Sequence, residues 1–214
     1  MIVIAKKNGT NWHPKTFLLI GLVTVISAGC SKEDDSPTSG ANLSPAQQVG
    51  QGWTYYEEGE YTKALQEFEG AIGRDASLSD AWNGKGWTLG KLPDRLDDAP
   101  VCFARALQID TTRYDAIGGW AFAAYQLGSW SSAIQKSDSL LHRRPGWRFL
   151  HEATLNDDDV QLLKAAAHYN LGDFASSYST VVNYLNPLFE ADITKPAGRH
   201  ELLDEIERLR RVNG

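Results

Sequence analysis

The sequence predicts an all-α fold: a solenoid of about four antiparallel helix pairs plus a C-terminal capping helix. Three observations carry it. Gly50-Gln51-Gly52-Trp53-Thr54 returns 34 residues later as Gly84-Lys85-Gly86-Trp87-Thr88, and Ala64, Phe68 and Ala71 return as Ala99, Phe103 and Ala106, 35 residues on. A period near 34 with small and aromatic residues in fixed places is the signature of stacked helical hairpins. Turn signals recur in phase with it at Gly59-Glu60-Tyr61, Leu92-Pro93-Asp94, Gly128-Ser129-Trp130 and Gly172-Asp173-Phe174. So do helix-start signals: Ser44 with Gln47, Ser77 with Asp80, Thr112 with Asp115 and Asn156 with Asp159, each a cap residue followed three places on by an acceptor.

In chain order, the first 29 residues read as a leader. Lys6, Lys7 and Lys15 precede the apolar run from Phe17 to Ile26, which ends in Ser27-Ala28-Gly29-Cys30. A basic start and about ten apolar residues make a secretory signal, too short to span a bilayer. Its last four residues resemble a bacterial lipobox with Ser27 in place of the usual leucine, which implies lipidation of Cys30; an ordinary cleavage site beside a cysteine is the other reading. Residues 30–43 are polar and nearly free of packing residues, a tether reaching about 20 Å on average. The run Lys32-Glu33-Asp34-Asp35 resembles the acidic export tag of surface lipoproteins and equally fits a solvated tether. Without the leader the chain carries 18 basic against 27 acidic residues, a net of −9. That disfavours nucleic acid as a partner, since cationic patches are needed. With Cys30 lipidated, Cys102 has no disulfide partner; it sits in an apolar helical stretch, where a buried, inert thiol is expected.

The repeat units run about 45–78, 79–113, 114–147 and 158–191, with an insertion at 148–157 and a C-terminal region at 192–214. Each unit is two helices joined by a short turn. Three turns carry glycine just past a helix end; unit two uses a Pro-containing turn one residue longer, and Pro100 then falls in the first turn of the following helix, where its missing N–H does no harm. Past Pro196 a last helix is expected over about 198–211. It places Leu202, Leu203, Ile206 and Leu209 on one face, acidic residues at its start and arginines at its end, and it covers the open apolar face of the last unit.

The small residues Gly52/Gly86/Ala121/Ala165 and Ala64/Ala99/Ala133/Ser177, with large residues such as Tyr55, Tyr61, Phe68, Trp82, Leu89 and Phe103 between them, resemble the tetratricopeptide repeat (TPR) family over about 145 residues. Pro145 closes unit three as that pattern expects. Unit four, with Ser177 and Tyr184 where small alanines are usual, matches least well. The resemblance implies a right-handed superhelix whose first helices line a concave, partner-binding surface. Carried over, the groove residues are Trp53, Tyr56, Trp87, Gly90, Phe122, Tyr125, Ala166 and Tyr169, with Asp80, Asn83, Asp115 and Asp159 near the rim. Aromatics at helical spacing equally fit packing between units. The basic clamp of chaperone-binding members is absent, its positions holding Val49, Trp53, Asn83 and Trp87, so an apolar or basic segment fits better than an acidic C-terminal peptide.

The insertion either overhangs this groove as a lid or fills a mismatch between units three and four. No Cys/His metal spacing, P-loop, dinucleotide motif or nucleophile elbow occurs. His151 with Glu152 and His168 with Asp173 are the conceivable acid–base pairs, and Asn156-Asp157-Asp158-Asp159 the conceivable calcium cluster; a groove histidine and a helix N-cap explain them with less. No catalytic residue, cofactor or metal is therefore expected. The leading expectation is an interaction scaffold, anchored through Cys30 to the outer membrane of a bacterial cell envelope, facing the periplasm or the surface, that holds a peptide or helix of another envelope protein. A saccharide- or small-ligand-binding lipoprotein using Trp53, Trp87 and Tyr125 as platforms is the second reading, and an outer-membrane or pilus assembly factor the third.

Overall fold

The computed structural model describes residues 43–213; the leader, Cys30 and most of the tether lie outside the described residues. Nine α-helices follow within them: α1 (Pro45–Glu57), α2 (Tyr61–Arg74), α3 (Ser79–Lys91), α4 (Ala99–Ile109), α5 (Tyr114–Gln126), α6 (Trp130–Arg143), α7 (Asp157–Asn170), α8 (Phe174–Thr180) and α9 (Pro196–Asn213). From α1 to α8 each helix packs on the next. The first helices α1, α3, α5 and α7 also pack on one another in sequence, whereas their second-helix counterparts touch at most at isolated residues. The row of first helices is therefore the inner, concave layer of an arch. None of the described helices is long and apolar enough to cross a membrane.

The repeated Gly-x-Gly builds the contact between units. The fully buried ring of Phe68 lies where a Cβ on either Gly52, in its own unit, or Gly84, in the next, would stand: 2.8 Å from the ring for Gly52 and closer still for Gly84. Phe103 is held the same way between Gly86, 2.6 Å, and Gly119. The first glycine of each motif thus receives the preceding unit's ring and the second receives its own. Gly50 heads the first motif with no preceding unit, and nothing lies within 4 Å of its Cβ position. In unit three Ser137 stands in the place of the ring, and the two glycine positions become Ala121 and the fully buried Leu163. The motif's threonines bond back to their own helix, Thr54 Oγ1 to Gly50 O at 3.1 Å and Thr88 Oγ1 to Gly84 O at 2.7 Å.

Gly59, Gly128 and Gly172 have φ of 79°, 73° and 77° at the predicted turns, the left-handed conformation that glycine adopts without a Cβ penalty. In unit two Asp94 takes that role at φ 56°, and a 3₁₀ turn, Leu96–Asp98, leads into α4. Capping boxes form at Ser44/Gln47 and Asn156/Asp159 as expected. The predicted caps at Ser77 and Thr112 do not form. Ser77 donates its N–H and hydroxyl to Asp75 Oδ1 at 2.9 and 2.6 Å, and Thr112 does the same to Asp110 at 2.8 and 2.6 Å. These Asx turns engage the hydroxyls, and α3 and α5 begin at Ser79 and Tyr114 without a side-chain cap.

Unit four departs most from the repeat. Its second helix is shortened to α8 and continues as a π-helical turn, Val181–Leu185. The terminal helix starts at Pro196, two residues before the expected position, and its Leu202, Ile206 and Leu209 pack with Leu162, Ala165, Ala166 and Val181 in a second small core. Because α9 packs on α7, it prolongs the inner row and covers the last unit. Leu203, expected on the same face, turns toward a cleft beside Tyr169.

In urea denaturation, Gly84→Ala and Gly119→Ala should each lose about 1–3 kcal/mol, because the ring each clasps is held from both sides. Gly50→Ala should instead gain about 0.5–1 kcal/mol from helix propensity.

Candidate binding groove

The concave face is built by the side chains that the repeat projects from the inner helices: Trp53 and Tyr56 from α1, Asn83 and Trp87 from α3, Phe122 and Tyr125 from α5, Tyr169 from α7. The structure brings them onto one face but does not leave them open. Trp53, Tyr56, Trp87 and Phe122 are buried. What covers them is the insertion between units three and four.

That segment forms a tight loop. Phe149 N donates to Leu155 O at 2.9 Å and Asp157 N to Trp147 O at 3.0 Å, with an antiparallel bridge between Arg148 and Asn156. Its side chains alternate as a strand's do: Trp147 and Phe149 are buried, Arg148 and Leu150 exposed. Phe149 lies flat on Trp87, with ring centroids 4.1 Å apart and planes at 18°, and meets Trp53 and Tyr56 edge-on at 5.9 and 6.2 Å. His151 stacks on Trp53 at 3.7 Å and 3°. Glu152 reaches Lys91 at 2.9 Å and accepts from the Tyr56 hydroxyl at 3.3 Å. Burial, with Glu152 beside it, holds the Tyr56 phenol well above its ordinary pKa. The insertion is thus a plug that completes the core of the first three units. It also covers the faces of Trp53 and Trp87 that a saccharide would stack on.

The rim aspartates are engaged as well. Trp53 Nε1 donates to Asp80 Oδ2 at 3.2 Å, and Arg113 pairs with Asp80 Oδ1 at 3.3 Å. Trp147 Nε1 donates to Asp115 Oδ1 at 2.7 Å, and Trp87 Nε1 to the Asp115 carbonyl at 3.2 Å. Burial raises the Asp115 carboxyl above its ordinary pKa in spite of the Trp147 bond. Asn83 is enclosed beneath this layer, and neither of its amide atoms meets a protein partner. Asp159, the equivalent residue in α7, accepts from Asn156 N at 3.0 Å as the reciprocal half of the capping box. Burial pushes its carboxyl up to about 6.

Two clefts on the inner row remain open, and the last turn of α5 contributes to both. One lies beside Gly90, between Trp87, Phe122, Leu96 and the plug residues Glu152 and Leu155. The other lies between Tyr125, Trp130, Tyr169 and the α9 residues Leu203, Ile206 and Arg210. Their cavity volumes are about 40 and 120 Å³. Tyr125 accepts from Arg210 Nη2 at 2.9 Å and packs edge-on against Trp130 at 5.0 Å. Tyr169 packs edge-on against Phe174 at 5.1 Å. Of the predicted aromatic site residues, Tyr125 and Tyr169 alone stay partly open; Asp80 and Asp115 at the rim are half-buried.

The conceivable acid–base pairs resolve as surface contacts. His151 Nδ1 faces Glu57 at 2.7 Å rather than Glu152, and His168 Nδ1 faces Asp173 at 3.1 Å. The Asn156–Asp159 cluster is spent on caps, and Asp157 Oδ2 accepts from Gly146 N at 3.0 Å. Among the described residues no group of three or more His, Cys, Asp or Glu is placed to hold a metal. Cys102 is buried, and desolvation pushes its thiol up to about 11, so it stays protonated. Sequence reasoning missed Trp147, Phe149, His151 and Glu152 as groove residues. The available signal was the apolar alternation Trp147–Phe149 opening an insertion flanked by the groove's own helices.

Phe149→Ala should cost about 3–5 kcal/mol of stability in urea, with the tryptophan emission shifting to the red as Trp53 and Trp87 gain solvent. Asp159 gives a pH test. Its folded pKa lies above the unfolded value near 3.8, so the folded state binds the extra proton between these values and this contribution to stability grows as pH falls from 7 to 4. The same drop removes stability from Asp110 and Glu205, whose pKa values are lowered by Thr112 and Arg208. Comparison with Asp159→Asn, which retains the capping acceptor, isolates the term: wild type should gain on the order of 1–2 kcal/mol relative to the variant over that range.

Compared with known proteins, no family model matches the sequence and no curated protein matches it. Solved structures do match in shape. A crystal structure of MamA aligns with a TM-score of 0.55 at 15% identity, covering 65% of this chain and 72% of that one. A MamA AMB-1 structure aligns at 0.57 and 16%, covering 79% and 98%. A tetratricopeptide repeat protein from Parabacteroides merdae aligns at 0.54 and 15%, covering 82% and 64%. With the helix pairs, the glycine clasps and the inner row of first helices, these likenesses show that the chain has the tetratricopeptide-repeat fold.

Proposed function

We infer that this protein is a non-catalytic interaction scaffold that grips a segment of a partner protein on the C-terminal part of its concave face. The observation that carries the reading is the division of the inner row by the plug. Over α1 and the body of α3 the aromatic wall is closed by the chain's own residues. From the end of α3 to α9 two clefts stay open, the first beside Gly90 and the second bordered by Tyr125 and Tyr169. Partly open aromatic rings beside an apolar cleft are typical anchors of protein recognition.

The place of action follows from the leader reading. A lipidated Cys30 would fasten the solenoid to a bacterial envelope membrane, and the tether would hold it about 20 Å from the headgroups. The partner is then another envelope protein. With a net charge of −9 after loss of the leader, apolar and basic segments are favoured over acidic ones.

A photo-crosslinking amino acid at Tyr169 should capture a discrete partner in cells, and the same residue at Val101, 69% exposed on α4, should not. Equal labelling at both positions would overturn the groove assignment. Cys30→Ser should move the protein from the membrane to the soluble fraction; retention in the membrane would remove the anchor from the account.

A further inference from the structure

The penultimate residue of the first helix is tyrosine in three units: Tyr56 in α1, Tyr125 in α5 and Tyr169 in α7. In α3 that position is Gly90. A Cβ added there would meet nothing within 4 Å, and the space where the repeat elsewhere places a phenol ring is an open cleft. Its walls are aromatic and aliphatic, Trp87, Phe122, Leu96 and Leu155, and polar groups come from Lys91, Gln126 and Glu152. The three tyrosines show what such a position accommodates. Tyr56 donates its hydroxyl to Glu152 at 3.3 Å, and Tyr125 accepts from Arg210 at 2.9 Å. Two of the three rings thus keep the body against apolar neighbours and the oxygen on a charged group, the arrangement that an amphipathic aromatic requires when it is enclosed. At the Gly90 cleft that charged group is in place, as the Lys91–Glu152 pair at 2.9 Å.

Building on the scaffold reading, we propose that the Gly90 cleft is a socket for a tyrosine or phenylalanine side chain of the partner segment, which supplies in trans the ring that unit two lacks. The tether does not supply it, because residues 31–43 contain no aromatic. Glu152 comes from the plug and Lys91 from the end of α3, so the plug forms one wall of the socket. It closes the groove on one side of Phe149 and shapes the ligand site on the other.

The test uses p-cresol, the tyrosine side-chain analogue, titrated into residues 31–214 and followed by NMR shifts of Leu96, Phe122 and Leu155. Saturable shifts confined to these residues are expected in wild type. Gly90→Ala, which adds one methyl in open space, should fold as wild type and weaken binding. Gly90→Tyr should fill the socket from within, weaken cresol by at least about tenfold and raise the melting temperature. Absence of saturable shifts in wild type overturns the proposal, as does unchanged affinity in Gly90→Ala together with Gly90→Tyr. If Gly90→Tyr fails to fold, the Gly90→Ala comparison alone decides. The outcome separates from the scaffold reading: cresol bound at the socket with no partner crosslinked at Tyr169 sinks the scaffold alone, whereas a Tyr169 crosslink without cresol binding sinks the socket alone.

Discussion

The ring of Phe68 between Gly52 and Gly84, and of Phe103 between Gly86 and Gly119, fixes the distance at which one helix pair can stack on the next. A Cβ at any of the four glycines would overlap the ring, and a ring clasped from both sides has nowhere to retreat. The helices therefore approach to a separation that only glycine allows, at the entropic cost of about 0.5–1 kcal/mol per glycine in a helix. Burial of each phenylalanine, worth about 1.5–3 kcal/mol, offsets that cost. The clasp also sets phase. With Gly52 and Gly86 turned toward the second helices, Trp53 and Trp87 one residue on are turned toward the inner face. The aromatic wall is a consequence of the clasp.

A concave row of large aromatics is an unstable surface in water. Apolar wall on that scale is rarely left bare on a monomer, and here the chain covers it with Trp147, Phe149 and Leu155. The plug suits this task because its strand-like alternation turns one set of side chains into the wall while Arg148 and Leu150 face outward. Polar edges come with it: Glu152 meets Lys91 and Tyr56, and the Trp147 indole donates to the half-buried Asp115 carboxyl. The spacing of 44 rather than 34 residues between units three and four is the length needed to reach into the arch and return to start α7 beside α6.

Most of the architecture was legible because the helical hairpin is a local object. The period, the turn glycines, the Pro100 helix start and the Ser44 and Asn156 caps each depend on residues a few positions apart. The caps at Ser77 and Thr112 were misread for an equally local reason: Asp75 and Asp110, two residues before them, compete for the same hydroxyls. The state of the groove was not legible, because it depends on contacts such as Tyr56 to Glu152, 96 residues apart, which no periodicity records. The family resemblance placed Trp53, Trp87 and Phe122 on the inner face; whether that face meets solvent or the chain itself is settled by the one segment outside the repeat.

A groove closed over part of its length also limits what it can hold. Between the Gly90 cleft on α3 and Tyr169 on α7 lie two steps from one inner helix to the next, each about 8–10 Å. An extended chain advances about 3.3 Å per residue, so a partner strand crossing both clefts needs about five or six residues. That is too short to gain affinity from area and must gain it from anchors. One ring at the Gly90 cleft and one apolar or basic side chain against Tyr125 and Tyr169 would supply them, since a few well-enclosed side chains carry most of the free energy of such contacts. By the same argument the plug raises specificity. With the Trp53–Trp87 wall covered, a partner of the proposed scaffold would be barred from generic apolar contact along the whole arch, and only a segment carrying its anchors at the spacing of α3 to α7 would be retained.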